Sequence, residues 1–240
     1  MNVSPRMNAE VWSVLTSAAV FGGASEANLL RLAKASEVRE YRKGEYIVKA
    51  GEPARELGIL LRGHVRAVHF GADGREVTVL IVWPKEPVAL IAPISGTVYR
   101  TSFEAAENNT RVAMLPTEEF MAVMKAEPEM MMSVLKVMAD QMFEMITMLK
   151  SMSTDVPSRV AVYIGMLLAA QNPGPSECGG VQVNLGVSRV ELSARLGTVP
   201  ETLSRAFRSL RDAGIIQGRG QKICVLDRDA LIARTNGILT

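Results

Sequence analysis

The sequence predicts an α+β chain in three parts: an N-terminal β-roll, a long dimerisation helix and a C-terminal winged helix-turn-helix. Three observations predict it. Between about Glu37 and Leu115, short β-rich runs alternate with glycine turns. From Pro128 a long run repeats leucine and methionine at heptad spacing. Near the end, two capped helical segments are separated by a turn containing Gly197 and followed by a hairpin pattern. The predicted parts are residues 1–127, 128–155 and 156–240.

Ser25 stands where a helix N-cap belongs, ahead of Glu26-Ala27-Asn28-Leu29-Leu30-Arg31-Leu32-Ala33. The text then turns to EYIVKAG, LGILLRG, HVRAVHFG, REVTVLIVW, TSFEAA and RVAMLP. Gly44, Gly51, Gly63, Gly71 and Gly74 interrupt these runs too often for helices. Ala72-Asp73-Gly74-Arg75 is a hairpin turn signal, because glycine tolerates the positive φ such turns need. Short, regularly spaced strands with turn signals predict a small sandwich or roll.

The pattern becomes helical at Pro116, with Thr117 as the expected cap of one helix and Pro128 opening a longer one. In the longer helix Leu135, Met138, Met142, Met145, Leu149 and Met152 advance by threes and fours, the spacing of a coiled-coil seam. So narrow a seam suits one partner helix, and a second copy of the chain is the expected partner. Methionine packs adaptably, so such an interface could accept more than one packing arrangement. Asp155-Val156-Pro157-Ser158 reads as a hinge, Ser158–Gln171 as a helix and Val181–Leu185 as a strand.

Ser188-Arg189-Val190-Glu191 has the serine-to-glutamate spacing of a capping box, and Gly197 suits the left-handed end of the helix it opens. Thr198-Val199-Pro200-Glu201 repeats the pattern, with proline in the first turn. In the second helix Leu203, Phe207 and Leu210 share one face, expected to bury against Leu192 and Leu196. Glu201, Ser204, Arg205 and Arg208 then project from the leading turns, the part of a recognition helix that enters the major groove. Arginine can donate two hydrogen bonds to guanine, glutamate can accept from a base amino group, and serine can bond either kind of edge. Glu201, Ser204 and Arg205 are the candidate base readers. Ser188, Arg189, Thr198, Thr202, Arg208, Arg219 and Lys222 are the candidate phosphate contacts, the last two at the tip of a hairpin around Gly218-Arg219-Gly220.

The charge agrees with that assignment. The chain carries 27 Lys/Arg against 25 Asp/Glu. From Val156 onward ten basic residues face six acidic ones, an excess that favours a polyanion. No apolar run reaches the roughly 18 residues of a membrane span, and the first residues lack a secretory pattern, so a cytoplasmic protein is expected. Cys178 and Cys224 stand far apart in the sequence without zinc or cluster spacing, and are expected to be reduced, inert thiols. No Ser/His/Asp set, metal cluster or phosphate loop suggests an enzyme; a β-roll enzyme or small-molecule binder is the alternative from another class.

A roll, a dimer helix and a winged helix-turn-helix in this order resemble the CRP/FNR superfamily of bacterial transcription regulators. The roll resembles the family's cyclic-nucleotide-binding-like domain through Lys43-Gly44-Glu45-Tyr46-Ile47, Gly51-Glu52-Pro53-Ala54 and Gly63. Glu201-x-x-Ser204-Arg205 is similar to the FNR-type recognition motif, which implies a TTGAT inverted repeat. Pro200 occupies the place of an arginine found in the cyclic-AMP branch. The resemblance further implies a homodimer on double-stranded DNA, RNA polymerase as partner if the protein is an activator, and an effector or sensor role for the roll.

The resemblance also frames the effector. No cysteine precedes Cys178, so an FNR-type iron–sulfur cluster is not expected. Arg100-Thr101 is similar to the phosphate-binding half of cyclic-AMP sensors, but Ala89-Leu90 replaces the Gly-Glu pair whose carboxylate holds the ribose. A leucine cannot supply that hydrogen bond, so cyclic AMP is not expected as the ligand. Leu90, Arg100 and Thr101 mark the candidate effector pocket. The chain is also similar to some cysteine-poor relatives that sense nitric oxide through haem, which implies an axial ligand; the available histidines are His64 and His69, expected on one strand with opposite faces, and a methionine of the long helix is the alternative.

Overall fold

The computed structural model describes residues 8–239 except 71–75, 175 and 219. The expected Ala72–Arg75 turn and Arg219 therefore lie outside the described residues. The chain divides into two compact units, Met1–Ala139 and Asp140–Thr240.

The first unit opens with α1 (Ala9–Leu15) and α2 (Glu26–Ala35). Ser25 is the N-cap of α2, but its hydroxyl donates to Glu127, which also accepts from the Ser25 N–H and from Asn28 Nδ2. Strands β1 (Glu37–Tyr41), β2 (Tyr46–Val48), β3 (Glu56–Arg62), β4 (Val65–Phe70), β5 (Glu76–Val82), β6 (Pro87–Val88), β7 (Ser102–Ala105) and β8 (Thr110–Pro116) follow. They build two antiparallel sheets, ordered β1-β8-β3-β6 and β2-β7-β4-β5.

Alternation along β3 explains how the roll is filled. Leu60 faces the core between the sheets, with Ile47, Val48, Val65, Val82, Val112 and Met114 from both of them. Leu57, Ile59 and Leu61 point the other way, into a second core with α1, α2, α4 (Thr117–Ala126) and the start of α5 (Pro128–Ser151). A short helix, α3 (Ile91–Ser95), follows β6. Thr117 is the first residue of α4 and not its cap; its hydroxyl donates to the Ala54 carbonyl.

Helix α5 departs from its expected seam at Met138 and at Met152. Leu135, Met142, Met145 and Leu149 are exposed, but Met138 is partly buried against the helix-side core beside Met130, Val134 and Val137. Met132, Phe143 and Ile146 are exposed as well. The outward apolar stripe therefore runs through Met132, Leu135, Ala139, Met142, Ile146 and Leu149, with Phe143 and Met145 at its sides. Met152 lies beyond the helix and is half-buried.

The second unit contains α6 (Val156–Gln171), β9 (Val181–Asn184), α7 (Arg189–Arg195), α8 (Pro200–Asp212), β10 (Ile216–Gln217), β11 (Lys222–Val225) and α9 (Arg228–Ala233). Asp155 caps α6 by accepting from the Ser158 N–H at 2.8 Å, so Val156-Pro157-Ser158, read from the sequence as a hinge, forms the first turn of the helix. Strands β10, β11 and β9 form one antiparallel sheet in that order.

The cysteine expectation is overturned. Cys178 and Cys224, with Cα atoms 6.2 Å apart, are joined in a disulfide. Sequence distance is no guide here, because β9 and β11 pair and bring the two ends of that 46-residue separation together. No helix among the described residues is long and apolar enough to cross a membrane.

Candidate nucleic-acid interface

Two reciprocal hydrogen bonds start α7. Glu191 Oε2 accepts from the Ser188 N–H at 2.7 Å, and Ser188 Oγ accepts from the Glu191 N–H at 3.3 Å, completing the capping box. The helix ends at Gly197, whose φ of 59° is the left-handed conformation that turns the chain toward α8. The second box does not form. The cap of α8 is Val199, whose side chain has no oxygen to accept a bond, and Pro200 occupies the first turn.

That absence matters for Glu201, because capping was the alternative use of its carboxylate. Glu201, Ser204, Arg205 and Arg208 are exposed on α8. Their side chains make no hydrogen bond or ion pair with other described residues. The opposite face is anchored: Leu203, Ala206, Phe207 and Leu210 are at most 2% exposed. Leu192 and Leu196 of the neighbouring helix are fully buried. A helix of this length is about 20 Å long, and Glu201, Ser204 and Arg205 all fall within its first six residues.

The other expected contacts divide. Ser188 is exposed but engaged in the α7 cap; Thr198 and Thr202 are half-buried; Lys222 is exposed at the start of β11. Arg189 does not reach outward. Its guanidinium lies 3.4 Å from the centroid of the buried Phe207 ring, and its Nη1 is buried without a partner. Burial, and then the nearby Arg211, lower its pKa to about 10. In this arrangement Arg189 packs the domain, which corrects its reading as a phosphate contact.

Sequence reasoning missed Arg159. Its Nε donates to the Thr154 carbonyl at 3.0 Å, Nη2 to Met152 at 3.0 Å, and Nη1 to Leu196 at 2.9 Å and Gly197 at 3.4 Å. One side chain thus ties the segment after α5 to the turn of the helix-turn-helix. A cation near a helix N-terminus opposes the helix dipole, and that misplacement was the available signal. Also unforeseen, the buried Tyr163 hydroxyl donates to the Leu185 carbonyl at 2.7 Å, and burial pushes its pKa up to about 12.

In the roll, Leu90, Arg100 and Thr101 do not share an environment. Leu90 is 3% exposed within the helix-side core, Arg100 is exposed and Thr101 is half-buried. Ala89 adopts φ 61°, a left-handed conformation that favours glycine. His64 precedes β4 and is not on the strand; its Nδ1 lies 2.7 Å from Glu107 and its ring packs edge-on against Trp83. His69 is exposed on β4. No group of three or more His, Cys, Asp or Glu placed to hold a metal ion occurs among the described residues.

Comparison with known proteins divides the chain in the same way. Residues 38–127 match the cyclic nucleotide-binding domain family and residues 158–234 the Crp-like helix-turn-helix domain family. The chain is 25% identical over 222 residues to a CRP-like cAMP-activated global transcriptional regulator of Mycobacterium tuberculosis, covering 92% of this chain and 98% of that one. It is 26% identical over 204 residues to the transcriptional activator protein anr of Pseudomonas aeruginosa, covering 84% and 81%. A CRP-family transcriptional regulator of Thermus thermophilus superposes with a TM-score of 0.64 at 26% identity, covering 84% of this chain and 98% of that structure. FixK2 from Bradyrhizobium japonicum shares the fold with a TM-score of 0.71 at 22% identity, covering 82% and 96%.

Proposed function

The chain belongs to the CRP/FNR superfamily of DNA-binding transcription regulators, and from that premise we propose that it acts as a homodimer reading a TTGAT inverted repeat under control of an effector sensed in the roll. One observation carries the reading: Glu201, Ser204 and Arg205 stand exposed and unpartnered on the leading turns of a helix whose back is buried. A guanidinium free of protein partners can donate both its bonds to a guanine edge, and a free carboxylate can accept from a base amino group. The apolar stripe of α5 supports a second copy as partner, since it leaves several large side chains in water. Two recognition helices about 34 Å apart would meet successive turns of the same DNA face. RNA polymerase is the further partner if the protein activates.

For the effector, haem is our leading candidate, with a cyclic nucleotide as the runner-up. His64 fits an axial ligand better than His69, because a proton on Nδ1 bonded to Glu107 leaves the lone pair on Nε2. Haem held there would supply an iron that binds a gas such as nitric oxide. Leu90, turned into the core, weighs against a ribose held by a carboxylate. The absorption spectrum of protein from its native host, and calorimetry with cyclic AMP, separate the two.

The reading interface is tested by fluorescence anisotropy on a labelled duplex carrying the inverted repeat. Replacing the guanine of each half-site should cost about 1–3 kcal/mol per contact, and Arg205→Ala should abolish that preference. Unchanged affinity and base preference in Arg205→Ala would refute the assignment.

A further inference from the structure

We propose that Cys178–Cys224 is a reversible redox site whose bond state sets how firmly the DNA-reading segment is held, an inference that rests on the reading of α8 as the DNA-binding helix. The position of the bond carries it. Between the two cysteines lie β9, α7, the Gly197 turn, α8, β10 and the hairpin tip, so the disulfide closes a covalent ring around the whole reading segment. Opening it frees the loop before β9 from the strand that carries the hairpin, and leaves that segment held by non-covalent contacts alone. A duplex that binds the ordered form then has more ordering to impose.

The loop is built to lie on the strand. The Ser176 N–H donates to the Gly180 carbonyl at 2.9 Å and the Gly179 N–H to the Ser176 carbonyl at 3.2 Å, making a tight turn that carries Cys178. A Cβ on Gly180 would collide with the Val225 carbonyl oxygen and come within 3.2 Å of Cys224 Sγ, so only glycine allows this approach. Access differs between the partners. Cys178 is half-buried in the loop, whereas Cys224 is 3% exposed on β11.

That asymmetry orders the chemistry, with a hydroperoxide as oxidant. The Cys178 thiolate attacks the peroxide oxygen: an S–O bond forms, the O–O bond breaks, and the departing oxygen leaves protonated as water or alcohol. The Cys224 thiol then attacks the sulfenic sulfur of Cys178. The S–S bond forms as the S–O bond breaks, and the hydroxyl leaves as water with the Cys224 proton. A dithiol reductant reverses the result by two successive exchanges, ending as its own disulfide.

The test uses the full chain after hydrogen peroxide or dithiothreitol. Differential alkylation with mass spectrometry counts the thiols, hydrogen exchange reads residues 178–224, and anisotropy reads affinity for the inverted repeat. Peroxide should convert two thiols to one intramolecular disulfide, raise protection within 178–224, and tighten DNA binding about three- to tenfold, the scale of ordering a few groups before binding. Cys178→Ser and Cys224→Ser should behave as the reduced form under both treatments. Thiols that do not pair under peroxide, or a bond that interconverts without changing protection or affinity, would overturn the proposal. If neither form binds any duplex, the α8 reading fails instead, and alkylation with exchange still decides whether the redox site exists.

Discussion

Met142→Glu tests the second copy of the chain most sharply. Met142 is 59% exposed at the middle of the α5 stripe, flanked by Leu135 at 52% and Leu149 at 70%. Fully burying a methionine contributes about 1.5–3 kcal/mol, so covering the exposed part contributes about 1–2 kcal/mol in each protomer. In a parallel pair the two residues at this position face each other, so two carboxylates are set together in a desolvated seam, at a cost of several kcal/mol. With the lost burial counted twice, the pair weakens by about 5 kcal/mol or more, at least a thousandfold in dissociation constant. The isolated chain should tolerate the change within about 0.5 kcal/mol, because the side chain already faces water. Sedimentation velocity at micromolar concentration should show a dimer for the native chain and a monomer for the variant, with equal far-UV circular dichroism. Affinity of the variant for the inverted repeat should fall to that for one half-site. A variant that still sediments as a dimer, or a native chain that binds one and two half-sites equally well, would refute the seam.

Three further expectations follow from named contacts. Arg159→Ala removes the donor shared by the carbonyls of Met152, Thr154, Leu196 and Gly197, and should cost about 1.5–3 kcal/mol of stability with faster amide exchange around the Gly197 turn; unchanged exchange there would show the tie to be idle. Asp155→Ala should cost about 0.5–2 kcal/mol in denaturant titration through loss of the α6 cap. The hydrogen bonds from Ser158 hold the Asp155 carboxyl below its ordinary pKa. The cap's stabilisation is therefore present above the usual carboxylate range and is lost as pH falls through the depressed value; a native-minus-variant stability difference that stays constant into acid would contradict the cap. Lys222→Ala should weaken specific and unrelated duplexes alike and lower the salt slope by about 0.9, whereas a sequence-selective loss would place Lys222 at a base.

Much of the molecule was legible because local rules and tertiary demands agree. The β3 run shows why: Leu57, Ile59 and Leu61 on one face and Leu60 on the other fill two cores, so the strand reads as a continuous apolar stretch bounded by turns. The Ser188–Glu191 box was visible because both partners lie within one helical turn. What stayed hidden depends on distance or on a small angular difference. Along α5, Met138 and Ala139 lie on either side of the Leu135–Met142 line, and a straight helix drifts about 20° per heptad, so spacing alone does not tell which of the two faces outward. Arg189 reads as a surface cation until Phe207 is seen beneath it. The cysteines and Arg159 are joined to partners 46 and 37 residues away, which no local pattern encodes.

The sensing role proposed for the roll is constrained by the backbone at position 89. Its backbone keeps a left-handed residue at position 89, where the resemblance places glycine, although alanine pays a steric penalty at φ 61°. Retaining that conformation with an ill-suited residue indicates that the loop's path is fixed by packing on both sides. Ala89 enters the core between the sheets and Leu90 the core against the helices. Substituting Leu90 with glutamate would not simply restore a ribose contact, because position 90 lies in the buried apolar cluster against the helices, where a charged carboxylate is costly. Leu90 is 3% exposed in the helix-side core, whereas Arg100, on the connection before β7, is exposed.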